Sequence, residues 1–422
     1  MRMKFWGGLF LLTLGFYGCK KDTPVTESPV QIANFFPASE GPGAEVKIYG
    51  IGFGSTASAV TVLFNTTSAT ITSVTDTLIK AQVPQGATSG SITVKVGTNQ
   101  GVSSTAFTVL LGTWVQKQDV PVTPGFMGAV GFSIGTKGFI GGGGSSSTSG
   151  FTSNFWQYDT QTAQWSSRLN YPKDGFYGGT AFVIGDVAYV GIGKDNTGNF
   201  SNEFYKFNPT ANTWTRLSNF PGSAKNTASA TTALGKGYVF INKEVWEYDP
   251  TTDKWTQKGD FPGTTRFETT AQTINNEIYF GLGVFPNLKD WWKYEPTTDK
   301  WTQKATFPAD YTTGLASFVI DNKVFVMGGY SEKCWSYNPT TDAWTQRTSN
   351  SVQRGYPAAF AIGSKGYLGT GSVGATTLKN DFWEFTPGCK FTAVNEVGSE
   401  NLVSVIPNLT SGNSFITYVL SI

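Results

Sequence analysis

One segment of the chain decides the fold, and its clearest copy reads VWEYDPTTDKW at residues 245–255. An aromatic-rich strand leads into a tight turn, and a tryptophan follows the turn. Proline presets one backbone dihedral angle of such a turn, and Asp or Asn side chains bond their own backbone. Variants of the turn lie at Asn208-Pro209, Glu295-Pro296 and Asn338-Pro339. The segment therefore predicts a strand, a turn and a further strand that recur along the chain.

A tryptophan recurs at regular spacing, either after the turn or, once, ahead of the first copy. Neighbouring members of this series are 41 to 51 residues apart. Each unit also has two apolar strands joined by a short turn, as in residues 179–191, ahead of the aromatic strand. A period of about 40 to 50 residues in a sequence of short strands predicts the blades of a β-propeller. Trp291 has no counterpart in the other copies. The series comprises Trp114, Trp165, Trp214, Trp255, Trp301 and Trp344.

The number of strands predicts how the ring closes. Six sets of the first three strands can be counted, but the last set, which ends at residues 381–387, has no tryptophan after its turn. An additional tryptophan, Trp114, stands ahead of the first set. We therefore expect six blades in which residues 114–117 supply the outermost strand of the last blade. Such closure removes a free sheet edge at the seam.

Composition supports an all-β protein and excludes several kinds of chemistry. Glycine occurs 50 times and aromatic residues make up 15% of the 422 residues, as expected for many short strands and tight turns. Histidine is absent, which excludes Ser-His-Asp or Cys-His catalysis and His-ligated metal sites. Without Arg2 and Lys4 the chain has 29 basic and 29 acidic residues, which argues against nucleic-acid binding. We therefore expect no metal, no cofactor and no nucleic-acid partner.

The recurring units resemble Kelch repeats. The resemblance is carried by glycine pairs at Gly141-Gly142 and Gly328-Gly329, by the aromatic strand that follows, and by the tryptophan after the turn. It covers residues 111–388 and implies a six-bladed, galactose-oxidase-like propeller. Relatives of this kind include galactose oxidase and a sialic acid mutarotase, but the copper chemistry of the oxidase uses histidine ligands, which this chain lacks. For a mutarotase-like site the available residues around the channel are Arg266, Glu268 and Arg354.

A separate domain precedes the repeats. Residues 46–96 contain four runs in which apolar and polar residues mostly alternate, bounded by Gly, Pro and Ser clusters, and this is the pattern of half-buried strands. The segment resembles an IPT/TIG domain in FPASEGPG at residues 36–43, IYGIGFG at residues 48–54 and VPQGATSG at residues 83–90. We expect an immunoglobulin-like sandwich at residues 31–110, and the resemblance implies a spacer or interaction module.

The chain begins with the features of an export signal. Arg2 and Lys4 form a basic start, and the apolar run that follows is too short to span a membrane. The run ends at Gly18-Cys19, which resembles a bacterial lipoprotein signal in which lipid is attached to the cysteine. We expect a signal peptide at residues 1–18, lipidation of Cys19 and a tether at residues 19–30, with an ordinary secretory signal as the alternative. The protein is then an outer membrane lipoprotein of the cell envelope, surface-exposed or facing the periplasm, held at the membrane by its lipid anchor alone.

The C-terminal tail at residues 389–422 lies beyond the repeats. Its segment VSVIPNLTSG at residues 403–412 resembles the opening of the C-terminal sorting domain of type IX secretion. Leu409 stands where that family usually has proline, and only ten residues follow the segment, so we expect a vestigial module. The sequence leaves open whether Cys334 in the repeats pairs with Cys389 in the tail.

Loops at one end of the propeller carry the candidate binding residues. Strands of a blade alternate in direction, so the loops after the second and fourth strands share one face, where they vary in length, and the uniform turns share the other. We expect ligand binding on the variable face. The alternative is that its loop residues only line a solvated channel. The candidates are Phe126, Lys173, Tyr177, Lys225, Arg266, Tyr311, Arg354 and Tyr356, and a longer insertion adds Asp195, Asn196 and Asn199.

The preferred interpretation is a non-enzymatic envelope protein that binds a glycan or a protein through the variable face. A carbohydrate-active enzyme of the sialic acid mutarotase type and a purely structural envelope scaffold are the alternatives. Arg354, taken as a surface-loop residue, should change the free energy of unfolding by no more than about 0.5 kcal/mol when it is truncated to alanine. Loss of binding without loss of stability would then mark a ligand site.

Overall fold

A computed structural model describes the protein over residues 29–145, 150–223, 227–284, 286–350, 353–374 and 377–388. The chain divides into two compact units. Within the described residues, the first unit contains residues 29–39 and 43–108, and the second contains residues 40–42 and 109–388. The expected signal peptide, the lipidation at Cys19, most of the tether and the C-terminal tail with Cys389 lie outside the described residues.

The first unit is an immunoglobulin-like sandwich, as the alternating runs predict. Its strands are β1 (Gln31–Phe36), β2 (Ser39–Glu40), β3 (Glu45–Ile51), β4 (Val60–Phe64), β5 (Thr67–Ser68), β6 (Thr70–Thr75), β7 (Leu78–Gln82), β8 (Gly90–Val96) and β9 (Asn99–Val109). One sheet has the order β1-β3-β7-β6 and the other β2-β9-β8-β4-β5. Alternate residues of β3 are buried, with Val46 and Ile48 joining Val62 and Val94 of the other sheet in a fully buried core.

The second unit is a propeller that has six four-stranded sheets within the described residues. Its strands are β10 (Thr113–Lys117), β11 (Val130–Ile134), β12 (Lys137–Gly141), β13 (Phe155–Asp159), β14 (Gln164–Arg168), β15 (Thr180–Ile184), β16 (Val187–Gly191), β17 (Phe204–Asn208), β18 (Thr213–Arg216), β19 (Ser229–Ala233), β20 (Lys236–Ile241), β21 (Glu244–Asp249), β22 (Lys254–Gln257), β23 (Thr270–Ile274), β24 (Glu277–Gly281), β25 (Trp291–Glu295), β26 (Lys300–Lys304), β27 (Leu315–Ile320), β28 (Lys323–Gly328), β29 (Ser331–Asn338), β30 (Ala343–Arg347), β31 (Ala358–Ile362), β32 (Lys365–Gly369), β33 (Ser372–Val373), β34 (Thr377–Leu378) and β35 (Phe382–Thr386). Blades 1 to 5 are β11–β14, β15–β18, β19–β22, β23–β26 and β27–β30 in chain order. Blade 6 has the order β10-β35-β32-β31, and β33 and β34 form a small separate hairpin.

The last blade is closed by the strand that precedes the first blade, as predicted. Strand β10 pairs antiparallel with β35, with Trp114 opposite Phe385 and Gln116 opposite Trp383. The six blades and this closure are therefore confirmed. Strand β10 covers the side of β35 that would otherwise be a free sheet edge at the seam.

Tryptophan side chains on the fourth strands hold neighbouring blades together. Trp214 of blade 2 packs edge-on against Phe155 of blade 1 with ring centroids 5.0 Å apart, and its indole N–H donates to the Leu169 carbonyl at 3.0 Å. At the seam, Trp165 of blade 1 packs in the same way against Phe382 of blade 6. An edge-on aromatic pair adds about 0.5–1.5 kcal/mol to the burial of its area. The same kind of indole bond to a carbonyl of the preceding blade is made by Trp114, Trp165, Trp255 and Trp344.

Trp291 fills the position that Phe155 and Phe382 fill in their blades. It opens the third strand of blade 4, is fully buried and packs against Trp344 of blade 5 at 5.4 Å between ring centroids. The interpretation that this tryptophan lacks a repeat role was wrong, because the position accepts any large apolar side chain that the next blade can cover.

In blades 2 to 5 the last residue of the turn does more than shape the turn. The Asp299 carboxylate accepts a hydrogen bond from the Tyr294 hydroxyl of its own blade at 2.6 Å and from the Gly259 N–H of the preceding blade at 2.9 Å. Asp342 does the same in the next blade. The turn aspartates therefore join adjacent blades, a role that turn chemistry alone did not predict.

Candidate functional site

The variable loops and the uniform turns lie at opposite ends of the blades. In blade 1, Val130 at the start of the innermost strand pairs with Gly141 at the end of the second strand. The loop that enters each innermost strand therefore lies beside the loop that leaves the second strand. We call this the mouth end of the propeller and the other the turn end.

A narrow channel runs between the innermost strands. Its cavity measures about 150 Å³ and is lined mostly by glycine, alanine, serine and threonine from all six blades. One water occupies about 30 Å³ of liquid, so the channel has room for a few waters. A larger ligand has to bind at an end of the channel.

Six equivalent residues surround the channel at its mouth end, each six positions before the last residue of an innermost strand. We call them the mouth ring. All six have a left-handed backbone, with φ between 54° and 69°. Glycine adopts this conformation without steric cost, whereas other residues do so at a cost of about 1–3 kcal/mol. The mouth ring comprises Gly128, Gly178, Thr227, Glu268, Gly314 and Tyr356.

Hydrogen bonds connect the mouth ring from blade to blade. The N–H of Gly128 donates to the Tyr356 carbonyl, and the N–H of Tyr356 donates to the Gly314 carbonyl. The N–H of Gly314 donates instead to the Glu268 carboxylate, at 3.1 Å. A side chain thus replaces a backbone acceptor at one point of the ring, and this places a carboxylate at the mouth.

The Glu268 carboxylate is held by three donors. Besides the Gly314 N–H, it accepts hydrogen bonds from the Thr313 hydroxyl and, at 2.8 Å, from the Tyr356 hydroxyl. A carboxylate offers about four acceptor positions. Glu268 is therefore fixed in orientation and retains acceptor capacity for a further donor.

A cavity of about 380 Å³ opens beside this carboxylate. Its volume falls within the range of about 300–1,000 Å³ that is usual for ligand sites. Val284 and Pro286 contribute apolar surface, while Glu268, Asn287 and Thr313 contribute polar groups. We call it the mouth cavity, and its described lining residues are Glu268, Val284, Pro286, Asn287, Thr313 and Tyr356.

Two further tyrosines surround Tyr356. The ring centroid of Tyr177 lies 6.3 Å from that of Tyr356. The ring centroid of Tyr330 lies 6.1 Å from that of Tyr356, in an edge-to-face arrangement. Burial, and then the Glu268 charge, raise the pKa of both Tyr177 and Tyr356 well above the ordinary value. Both phenols therefore stay neutral and keep their hydroxyl protons at physiological pH.

The structure brings Tyr177 and Tyr356 together among the sequence candidates, and it places Phe126 and Tyr311 elsewhere. Phe126 is 4% exposed and lies in the hydrophobic core between blades 6 and 1. The Tyr311 hydroxyl accepts a hydrogen bond from the Trp335 indole at 3.2 Å, and burial raises the pKa of Tyr311. These two side chains stabilise the blades.

Arg266 and Arg354 are buried in ion pairs within their blades. The guanidinium of Arg266 lies 2.7 Å from the Asp290 carboxylate, and that of Arg354 lies 2.6 Å from Asp381. Each arginine is 1% exposed. The expectation that Arg354 is a surface-loop residue was wrong, because an aspartate ahead of the third-strand tryptophan draws the guanidinium inside.

Lys173 and the three insertion residues do not line the mouth cavity. Lys173 pairs with Glu203 at 3.1 Å, while Lys225 lies outside the described residues. In the insertion, the Asn196 side chain bonds the backbone N–H and carbonyl of Phe151. The Asp195 carboxylate accepts hydrogen bonds from Thr197 and Asn199, so Asp195, Asn196 and Asn199 fix loop structure.

Sequence reasoning named Glu268 only for the enzyme alternative and missed Thr313, Asn287 and Val284. A signal was present for Glu268. The equivalent position is glycine in blades 1, 2 and 5, and a charged residue in place of a repeated glycine marks a departure from the fold's own requirement. Thr313 and Asn287 lie in loops that are brought together by the packing of the blades, and no local sequence pattern predicts this proximity.

The described part of the chain lacks two features. It contains no helix of the length and apolarity needed to cross a membrane. It also contains no group of three or more His, Cys, Asp or Glu side chains arranged to hold a metal ion.

Comparisons with known proteins agree with this architecture. Residues 29–109 match the IPT/TIG domain and residues 312–351 match the Kelch motif, so both predicted resemblances are confirmed. The solved structure of YjhT matches with a TM-score of 0.53 and 16% sequence identity, over 63% of this chain and 95% of that one. At this identity the likeness concerns the fold alone. Among curated proteins, none matches the chain.

Proposed function

We propose that this protein is a non-enzymatic lipoprotein of the cell envelope whose propeller binds a glycan or protein ligand at the mouth cavity. The observation that carries the proposal is the fixed Glu268 carboxylate beside a cavity of ligand size, on the end of the propeller where the loops vary. Loops on a rigid scaffold are the usual place for binding residues.

A glycan fits the chemistry of this cavity better than an extended protein surface. Sugars present hydroxyl groups on one side and C–H faces on the other. Glu268, Thr313 and Asn287 provide acceptors and donors for hydroxyls, and the Tyr356 ring and Val284 provide apolar surface. A pocket with apolar walls and a few oriented polar groups is the usual form of a small-ligand site.

Two of the three side chains expected for a mutarotase-like site do not line the mouth cavity. Of Arg266, Glu268 and Arg354, the mouth cavity is lined by Glu268, while both guanidiniums are engaged in buried ion pairs. NMR exchange spectroscopy of free sugars with the purified propeller tests this alternative directly. Faster anomer exchange that Glu268→Gln abolishes would show an enzyme.

A matched pair of variants tests the binding site. Asn287 lines the cavity and is exposed, so Asn287→Trp fills the cavity without disturbing a packed core. Thr252 is exposed in a turn at the opposite end, so Thr252→Trp adds the same side chain there. Glycan arrays and isothermal titration should show binding that falls at least tenfold in Asn287→Trp and is unchanged in Thr252→Trp. Equal binding by both variants, or capture of envelope proteins that both variants retain, would exclude the mouth cavity.

The membrane anchor has its own test. Cys19→Ala removes the proposed lipid attachment point. Metabolic labelling with a fatty acid should mark the wild-type chain and leave the variant unlabelled, and cell fractionation should move the variant from the membrane to the soluble fraction. Labelling of the variant would contradict lipidation at Cys19.

A further inference from the structure

Resting on the proposed function, we propose that the mouth cavity selects neutral and amino sugars and rejects acidic ones. The geometry points to this class because the one charged group among the described residues that line the cavity is the Glu268 carboxylate. A ligand bound there has to meet that carboxylate with a hydroxyl or ammonium donor.

Three positive charges near the mouth end are engaged in ion pairs. Arg266 and Arg354 are buried against Asp290 and Asp381. Lys289, which follows the lining loop, forms an ion pair with Asp310. None of these three cations is among the described residues that line the cavity, so none of them is placed to neutralise a ligand carboxylate there.

The position of Glu268 is fixed before a ligand arrives. Turning its carboxylate away would break hydrogen bonds from Thr313, Gly314 and Tyr356. The left-handed backbone at Glu268, with φ of 55°, shows that the fold accepts a conformation that glycine adopts more easily in three other blades. The carboxylate therefore keeps one position at the mouth.

Charge then decides between otherwise similar sugars. A ligand carboxylate about 4 Å from Glu268 is repelled, and half-buried surroundings screen this repulsion less than bulk water does. An ammonium group instead forms a charge-assisted hydrogen bond with Glu268 and gains from the faces of nearby tyrosines. We expect an affinity order of amino sugar, then neutral sugar, then acidic sugar, with at least tenfold between the first and the last.

Matched sugars test the order with the full chain in detergent. Methyl glucoside, glucosamine and glucuronic acid share one ring stereochemistry and differ in charge, and the galacto and manno series provide two further sets. Saturation-transfer NMR and isothermal titration at low salt give the affinities. The same titrations at high salt should reduce the ratio between amino and acidic sugars, because salt screens the charge.

Two carboxylate variants separate this site from the general charge of the face. Glu268→Gln keeps the size of the side chain and removes its charge, and it should reduce the selectivity against acidic sugars by about tenfold. Asp174→Asn removes an exposed carboxylate from a mouth-end loop that does not line the cavity, and it should leave the selectivity unchanged. Circular dichroism and thermal unfolding show whether each variant is folded. If Glu268→Gln does not fold, the salt titrations of the wild-type protein still test the proposal.

The possible outcomes bear on the two proposals differently. Tightest binding of an acidic sugar by the wild type, or selectivity that survives Glu268→Gln in a folded protein, overturns this inference and leaves glycan binding in place. Absence of binding by all nine sugars, together with a silent glycan array, overturns both proposals.

Discussion

Left-handed backbone occurs at both ends of the propeller, but the residues that adopt it differ in kind. At the turn end, the equivalent residues of blades 1 to 5 have φ between 48° and 56°. Four of the five are Asp or Asn, the residues that tolerate this conformation best after glycine. The turn-end residues are Ala163, Asn212, Asp253, Asp299 and Asp342.

In the mouth ring, the same conformation is adopted by three glycines and by Thr227, Glu268 and Tyr356. None of these three residue types favours it. The turn-end aspartates are explained by folding, because their carboxylates join blades. Repeated side chains in this molecule therefore stabilise the ring, whereas residues that depart from the repeat in the mouth ring are candidates for contact with a ligand.

Removal of a buried arginine at the mouth end should have a large effect on stability, because its charge stabilises the fold. Arg354→Ala leaves the Asp381 carboxylate half-buried without its cation, with the Trp383 indole N–H as a remaining donor, and should lower the free energy of unfolding by about 3–5 kcal/mol. Chemical denaturation monitored by tryptophan fluorescence measures it. As a control, Lys289→Ala removes one member of an exposed pair and should cost less than about 1 kcal/mol. A cost for Arg354→Ala as small as that of the control would return this arginine to the candidate ligand residues.

A smaller effect tests the turn end. Asp342→Ala removes the acceptor of the Tyr337 hydroxyl and of the Ala305 N–H, and should cost about 1–3 kcal/mol at neutral pH. Burial acts to raise the pKa of Asp342, but these hydrogen bonds, with Lys304, outweigh it and hold that pKa below the ordinary value of 3.8. The stabilisation is therefore complete above the unfolded-state pKa and is lost as the pH falls through the lower, folded-state pKa.

The pH dependence provides the control for this variant. The difference in stability between wild type and Asp342→Ala should be constant from pH 7 down to about pH 5 and should shrink as the pH approaches 2. Denaturant titrations across that range measure it. A difference that does not change with pH would mean that the aspartate acts through turn geometry and not through its charge.

The repeated parts of the fold were open to prediction because they are local. Aromatic strands, turn residues and the displaced Trp114 fixed the blade number and the seam, since each follows from a pattern within a few residues or from counting strands. The same regularity misled the interpretation of Trp291, whose packing partner Trp344 belongs to the next blade.

The candidate site was harder to predict because its contacts cross several blades. Glu268 of blade 4 meets Tyr356 of blade 6, 88 residues away in sequence. Arg354 lies two residues before Tyr356, yet it turns inward to Asp381, and nothing in the loop sequence shows which of the two faces the cavity. Residue type and loop position predict candidates at the mouth end, whereas the direction of each side chain depends on how the blades pack in three dimensions.

Glycine substitutions at left-handed residues compare how the two ends of the propeller contribute to stability. Thr227→Gly removes a β-branched side chain from a left-handed position at the mouth end, with φ of 63°, and should raise the free energy of unfolding by about 0.5–1 kcal/mol. Asp299→Gly at the turn end, with φ of 54°, should lower it by about 1–3 kcal/mol, because Tyr294 and Gly259 lose their acceptor. Denaturant titrations of both variants measure the two changes. Stability changes of opposite sign support the view that backbone strain at the mouth end is not needed for folding. A loss of stability in Thr227→Gly equal to that in Asp299→Gly would show instead that side chains hold the mouth ring in the same way as they hold the turns.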